Sequence, residues 1–385
     1  PGLSSFESKP NDINEYKKYL DPLLEYSYNY IEKDKRKDTY IYILASAGMR
    51  AVEERNDKTA VTIMNNVYKY LNKNCDYIVL KKYIKIVRGI DEGLYGWVVA
   101  NYLNGELQAI LSKKSVYKAN TKGVLEMGGE SLQITFVPDK SILEKIPNKL
   151  LIHLQLFDVN IPIFTHSYMH IGMQAAQTKY DTHLVTKGIF DESACYINGD
   201  IRNRDEGKKS YSWKGKGNFD ECLQGLSNII NNDKTTCQSK KKSNDIMVCV
   251  PNGLTMPKIV GEQQFYYIEN FYYTAKVLGI ENINGEDGFL DALLKKGKEY
   301  CELNKNDVKN VFKNIDDDEI SKTCFCVAWI YAIIEHGFNL KDFKNFEVIR
   351  DVKNVGIDWV LGFLISETAK QSNNNNNSNN NNMVT

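Results

Sequence analysis

The sequence predicts an α/β protein with two lobes, and three observations carry that reading. Residues 39–56, TYIYILASAGMRAVEERN, pass from a β-branched and aromatic run through a small-residue turn into a helix. Residues 123–136, GVLEMGGESLQITF, read as two short strands joined by a tight Gly128-Gly129 turn. A chain of 385 residues is long enough to bury two cores.

In the first stretch the strand ends at Ala45, and the turn Ser46-Ala47-Gly48 opens a helix carrying Arg50 and Glu53. A strand, a tight small-residue turn and a helix N-terminus together form an anion site, although many ordinary βα turns look the same. The next stretch, GIDEGLYGWVVANYLNG at 89–105, has glycines at 89, 93 and 96. They predict a tightly turning entry loop, a helix from Trp97 to Leu103 and a stop at Asn104-Gly105. Glu92 is then an acid in a glycine-bounded loop beside Tyr95 and Trp97. A carboxylate held there, partly desolvated, suits a general base; a solvated loop acid is the bland alternative.

In the hairpin, Val124, Leu125 and Met127 lead in, and Leu132, Ile134 and Phe136 alternate on the way out. Glycines at such a turn let the backbone approach a ligand and point N–H groups at an anion. Glu126 stands just before the turn, and Ser131 and Gln133 just after it. A metal-facing carboxylate, a phosphate cradle and two water-positioning groups can therefore share one hairpin. Most Gly-Gly hairpins, by contrast, only turn the chain.

Lys plus Arg and Asp plus Glu both number 49, so no overall basic excess argues for nucleic acid. The KKKS run at 240–243 reads as an exposed loop. The most apolar segment, Trp359–Ile365, is far too short to cross a bilayer. Lys-, Asn- and Asp-rich segments at 198–220, 231–245 and 303–320 predict surface loops or insertions. The asparagine run over 372–385 predicts a disordered tail. His166 and His170 stand at helical i, i+4 spacing, but no Glu lies between them in a zinc-protease arrangement. Among the 8 cysteines the only close pair is Cys324-Phe325-Cys326, which is not a zinc-type spacing.

In order and spacing these stretches resemble the conserved regions of the apyrase family, the nucleoside triphosphate diphosphohydrolases. ASAGMR looks like the second conserved region, DEGLYGWVVANYL the third, LEMGGESLQITF the fourth and DWVLGFL (358–364) the fifth. THSYMHIGMQAA (165–176) and CVPNGLTMPKIVGEQQFYYIENFYYT (249–274) resemble further family segments, so the likeness runs from Pro1 to about Lys370. It implies a two-lobed actin-like ATPase (ribonuclease H-like) fold with the active site in the interlobe cleft. It also implies stepwise removal of terminal phosphate from nucleoside tri- and diphosphates, dependent on Ca2+ or Mg2+.

Carried over by position, Glu92 matches the general base, and Ser131 and Gln133 match the residues that hold the attacking water. Ser46, Ala47 and Gly48, with Gly128, Gly129 and Glu130, fall on the nucleotide-binding loops. Glu126 stands where the family has an Asp that reaches the metal through water. Tyr272 or Tyr273 supplies one wall for the nucleobase, while the place of the opposite wall holds Thr323; the alternative for the aromatics of 265–273 is packing in the core. The resemblance also implies the disulfides Cys195–Cys222, Cys237–Cys249 and Cys301–Cys324, leaving Cys75 and Cys326 unassigned. A disulfide framework implies a secreted or lumenal protein, with an anchor upstream of this chain left open; eight buried cytosolic thiols are the alternative.

The expected lobes are 1–88 with 349–371, incomplete at its N-terminus, and 89–348, with Glu92 and Ser131 across one cleft. The first conserved region, a phosphate loop, is absent, and the chain is expected to lack its true N-terminus. Glu126 for Asp places the carboxylate farther out by about one carbon–carbon bond, about 1.5 Å. Glu130, where the family has a small residue, puts negative charge beside a phosphate site. Two alternatives follow: a catalytically impaired nucleotide-binding member, and an actin-like interaction protein.

Overall fold

Helix α1 (Ile13–Tyr28) starts where the Asp12 carboxylate accepts the Asn14 N–H. Strand β1 (Tyr40–Ala45) leads through Ser46 into α2 (Ala47–Arg55), then α3 (Asp57–Asn74) and strand β2 (Ile78–Ile86). The expected strand–turn–helix is thus present. The strands pair in parallel, and two helices make the connection between them. On α3, Ala60, Ile63, Met64, Val67, Tyr70 and Leu71 are buried, the spacing of one helix face. They pack with Tyr16, Leu20, Val52 and Ile84. The computed structural model describes residues 2–206, 209–240, 246–280, 288–312 and 315–381. These form two compact units, Pro1–Glu92 and Gly93–Thr385.

Helix α4 runs Gly89–Asn104, so the unit boundary falls inside its first turn. The sequence had placed a loop here and started the helix at Trp97. Instead, Arg88 makes a paired contact with Asp91 across the entry, at 2.7 and 2.8 Å. Asp91 and Glu92 place negative charge on the helix N-terminus, where it is favoured. The stop at Asn104-Gly105 holds, because Gly105 takes the left-handed conformation (φ 94°) that ends helices.

The second unit is built on a mixed sheet of six strands. Its strands are β3 (Lys122–Met127), β4 (Ser131–Phe136), β5 (Leu151–Leu156), β6 (Val159–Met169), and then, after helix α5 (Met173–Thr186), β7 (Gln264–Glu269). Helices α6 (Asn270–Val277) and α7 (Asp317–Ala332), strand β8 (Phe346–Val348) and helix α8 (Trp359–Asn381) complete it. The order is β8-β7-β3-β4-β6-β5, with β7 parallel to β8 and β3 and the other pairs antiparallel. Period-2 alternation sorts the faces. Leu125, Met127, Leu132, Ile134 and Phe136 join the large core that includes α5 and α7. Val124 and Ile268 pack on the α4 side with Val99 and Ala100.

Several expectations change here. The segments at 198–220, 231–245 and 303–320 are largely regular structure. A hairpin of Ile201–Glu206 and Lys209–Gly215 is pinned by buried Trp213, whose Nε1–H donates to Ile189 O at 2.8 Å. Helix Phe219–Lys240 is anchored by Cys222, Leu226, Ile230 and Cys237. Asp316 and Glu319 form a reciprocal cap at the start of α7. Periodic anchors thus outweigh the polar composition. Residues 207–208, 241–245 and 313–314, including most of KKKS, lie outside the described residues.

His166 lies on strand β6 and His170 just beyond it, so their four-residue spacing is not helical. Residues 349–371, expected to return to the first lobe, are grouped with the second unit. Gly362 of α8 lies against the Tyr95 backbone, Phe363 meets the Tyr95 ring edge-on, and Ala369 joins the cluster of Trp97, Val159 and Ile161. Helix α8 continues to Asn381, into the run expected to be disordered, and 382–385 lie outside the described residues. The disulfides Cys195–Cys222, Cys237–Cys249 and Cys301–Cys324 are all formed, as the resemblance implied, with Cys75 and Cys326 outside them. Among the described residues no helix is long and apolar enough to cross a membrane.

Candidate active site

In the first unit, Ser46 caps α2, and its carbonyl accepts the N–H groups of Met49 and Arg50. Among the described residues the N–H groups of Ala47 and Gly48 have no backbone acceptor, as the first turn of a helix requires. A Cβ at position 48 would lie 2.9 Å from Ser4 Oγ, so a larger residue there requires the Ser4 side chain to shift. Arg50 points inward. Its Nη1 donates to Glu92 Oε2 at 2.8 Å and to Val87 O at 2.9 Å, and both side chains are buried. Glu92 is therefore a helix-borne, buried acid, not a solvated loop acid. Burial raises its carboxyl above the ordinary value, and the Arg50 guanidinium pulls it back down. A carboxylate poised that way can accept a proton, as a general base must.

In the second unit, Gly128, Gly129 and Glu130 join β3 to β4, and the Gly128 N–H donates to Ser131 O at 3.0 Å. The turn's carbonyls face α5: Met173 N–H reaches Gly128 O, and Gln174 and Ala175 N–H reach Gly129 O, at 2.8–3.0 Å. Those bonds consume the N-terminal donors of α5. The N–H groups of Gly129 and Glu130 have no backbone acceptor among the described residues. A turn with its carbonyls committed backward and N–H groups uncommitted suits an anion. Gly172 lets α5 come this close, because a Cβ there would meet Ser131 N at 2.5 Å.

Register then lays a polar row across the sheet. Glu126 pairs with Gln133, and Gln133 with Ser167. Gln133 Nε2 donates to Ser131 Oγ at 2.6 Å and to Ser167 Oγ at 3.0 Å. One row along, Thr135 Oγ1 and Thr165 Oγ1 lie 2.7 Å apart. Ser131, Gln133, Glu126, Thr135 and Thr165 are all buried. Helix α4 closes on this face through its glycines. A Cβ on Gly93 would meet Thr135 and Thr165 Oγ1 at 2.6 and 2.8 Å, and one on Gly96 would lie 3.3 Å from Glu126 Oε2. The longer carboxylate at 126 is thus accommodated under Gly96.

Sequence reasoning missed Arg50 as a partner of Glu92, and it missed Ser167, Thr135 and Thr165. The threonines and serine had a readable signal. Ser131, Gln133 and Thr135 alternate with Leu132, Ile134 and Phe136, so a buried strand must carry them on one face. It also missed Glu269, which ends β7 in register with Met127 at φ 62°, an uncommon backbone for a non-glycine residue. Burial and the nearby Asp358 raise its carboxyl, with Arg350 opposing. Asn270, beside it, donates from Nδ2 to Met127 O at 2.7 Å.

The aromatic wall divides. Tyr273 is exposed on α6, while Tyr272 packs against the core with buried Phe265, Tyr267 and Phe271. Thr323, at the expected opposite wall, is buried in α7 and donates to Glu319 O at 2.7 Å. Among the described residues no three His, Cys, Asp or Glu side chains converge as a metal cage. A hard cation that keeps most of its waters and borrows phosphate oxygens needs only one or two carboxylates. The buried Glu126 carboxylate fits that need.

Residues 1–380 match the model of the GDA1/CD39 (nucleoside phosphatase) family. The ectonucleoside triphosphate diphosphohydrolase 1 of Bos taurus is 28% identical, over 96% of this chain and 73% of its own length. The probable apyrase 4 of Arabidopsis thaliana is 26% identical, over 96% of this chain and 71% of its own. A solved nucleoside triphosphate hydrolase structure from Neospora caninum superposes with a TM-score of 0.61 at 14% identity, covering 86% of this chain and 73% of that one. The family expected from the motifs and the α/β fold expected from the strand–helix pattern are both found. This chain belongs to the GDA1/CD39 nucleoside phosphatase family.

Proposed function

We propose that this chain hydrolyses the terminal phosphate of nucleoside tri- and diphosphates, with Glu92 as the base that activates water. The carrying observation is the pair Ser131 and Gln133, buried directly after a glycine turn that leaves N–H groups uncommitted and hydrogen-bonded to each other and to the half-buried Ser167 of β6. Ser131 and Gln133 hold the water, and the N–H groups of Gly129 and Glu130, in the turn that Gly128 opens, take phosphate oxygens. Ser46, Ala47 and Gly48 serve the same end from the first unit, and Tyr273 offers an open ring for the base.

In the reaction the water oxygen bonds to the terminal phosphorus as the bond to the bridging oxygen breaks. The bridging oxygen keeps the electron pair, and the water's proton passes to Glu92. Ca2+ or Mg2+, held through Glu126 and water, would neutralise charge on the phosphate oxygens when bound. Phosphoryl transfer depends on positioning and charge neutralisation more than on covalent help. Ser131 and Gln133 should therefore matter nearly as much as Glu92. Three disulfides in the second unit support a secreted or lumenal setting.

The test is phosphate release from ATP and ADP with Ca2+, with Mg2+ and with chelator, comparing Glu92→Gln. Chelator-sensitive release that disappears in Glu92→Gln supports the proposal. Nucleotide binding without release would mark a catalytically impaired member, and neither binding nor release an interaction protein.

A further inference from the structure

The Glu130 carboxylate sits on the third residue of a turn whose free N–H groups suit an anion, where its charge should repel phosphate. The structure shows where that charge goes. Glu130 Oε1 lies 2.8 Å from His170 Nδ1. The Glu130 carbonyl is tied to the same segment, accepting the His170 N–H at 2.9 Å and the Gly172 N–H at 3.2 Å. Both the side chain and the main chain of Glu130 are thus tied to residues 170–172, whereas the Gly129 and Glu130 N–H groups are trans to the Gly128 and Gly129 carbonyls that face α5 and so point the other way. His170 holds a left-handed backbone, φ 63°, uncommon for a non-glycine residue although His, Asn and Asp adopt it more often than most. That conformation accompanies contact of both its N–H and its ring with Glu130. The His170 side chain is 54% exposed and that of Glu130 27%, so as an ion pair the contact adds little stability. Its consequence is the placement of charge.

We propose that His170 is a positioning residue that holds the Glu130 carboxylate off the phosphate-facing side of the Gly128–Glu130 turn. A terminal phosphate then meets N–H donors with the nearby negative charge turned aside. The inference rests on the nucleotide reading above and deepens it, since it makes phosphate affinity depend on a side chain outside the hairpin.

A four-member cycle tests it: the unmutated chain, His170→Gly, Glu130→Gln and the double variant. Each is measured for the Kd of a non-hydrolysable ATP analogue by calorimetry, and for KM and kcat in phosphate release. Glycine at 170 accepts the left-handed backbone; His170→Asn, which also tolerates it, is the second variant should the first melt early. In the Glu130 background, His170→Gly should weaken analogue binding and raise KM by about tenfold, the scale of one partly screened charge beside a phosphate. The kcat should fall much less, and the loss should shrink in high salt. In the Glu130→Gln background the same change should cost almost nothing. Equal losses in both backgrounds, or no loss in either, would overturn the inference while leaving the nucleotide reading intact. If the unmutated chain does not bind the analogue, the nucleotide reading fails and this inference fails with it.

Discussion

Arg50→Met is the most informative single perturbation of the first unit. The guanidinium lies 2.8 Å from Glu92 Oε2, and both groups are buried. Two unit charges about 4 Å apart at an effective dielectric of about 20 attract by about 4 kcal/mol. Removing one member of a buried pair costs about 3–5 kcal/mol, because the other is left charged and dry. Four kcal/mol is about a thousandfold in the folding equilibrium. The cost depends on pH, with a definite sign. Burial already raises the Glu92 carboxyl above its ordinary 4.5, so stability falls as pH rises from there through the raised folded value. Without Arg50 that folded value rises further. The loss from Arg50→Met should therefore be largest at alkaline pH and smaller at mildly acidic pH, where the carboxyl is protonated.

Urea titrations at the two pH values measure this, and the pH profile of phosphate release gives an independent readout. A general base must be ionised, so the acidic limb of kcat/KM should move to higher pH in Arg50→Met. Adding Glu92→Gln should recover much of the lost stability and none of the activity. An equal stability cost at both pH values, with an unmoved acidic limb, would refute the account of Glu92 as a buried acid tuned by Arg50.

Ser167→Ala removes one of the oxygens that hold the Gln133 carboxamide. The kcat should fall by about 10–100-fold through misplacement of that group, with stability changed by only about 1 kcal/mol; steady-state kinetics with thermal melting separates the two. Gly172→Ala should destabilise more than Gly129→Ala. A Cβ at 172 meets backbone of Gly129, Glu130 and Ser131 at 2.5–2.6 Å, whereas one at 129 meets the movable end of the Gln174 side chain. Overpacking costs about 1–3 kcal/mol, and rigid backbone cannot move aside to relieve it; the loss is readable as a lower urea midpoint. Reducing the bridges, whose partners are 27, 12 and 23 residues apart, should cost about 3 kcal/mol each by chain entropy. Urea titration with and without reductant checks that, and Cys75→Ser should change nothing.

Much of the site was legible because its parts are local. The glycine turn, the acid before it and the polar alternation after it lie within residues 123–136, where period and turn chemistry speak directly. Boundaries were less legible. The three glycines of 89–96 read as a loop, yet they belong to a helix because Gly93 and Gly96 are where α4 presses on Thr135, Thr165 and Glu126. The polar segment 231–245 reads as a loop, yet 231–240 continue the helix that starts at Phe219, whose buried anchors Cys222, Leu226 and Ile230 lie before that segment.

The α/β class, the hairpin with its acid, serine and glutamine, and the motif order that marks the family are all readable from the linear chain. The partners of those residues come from the folded chain. Arg50 reaches Glu92 across 42 positions, Ser167 reaches Gln133 across 34 and His170 reaches Glu130 across 40. Local propensity carries no information about such distances. Strand register and the close approach of helices through glycine set them, and these are properties of the packed chain.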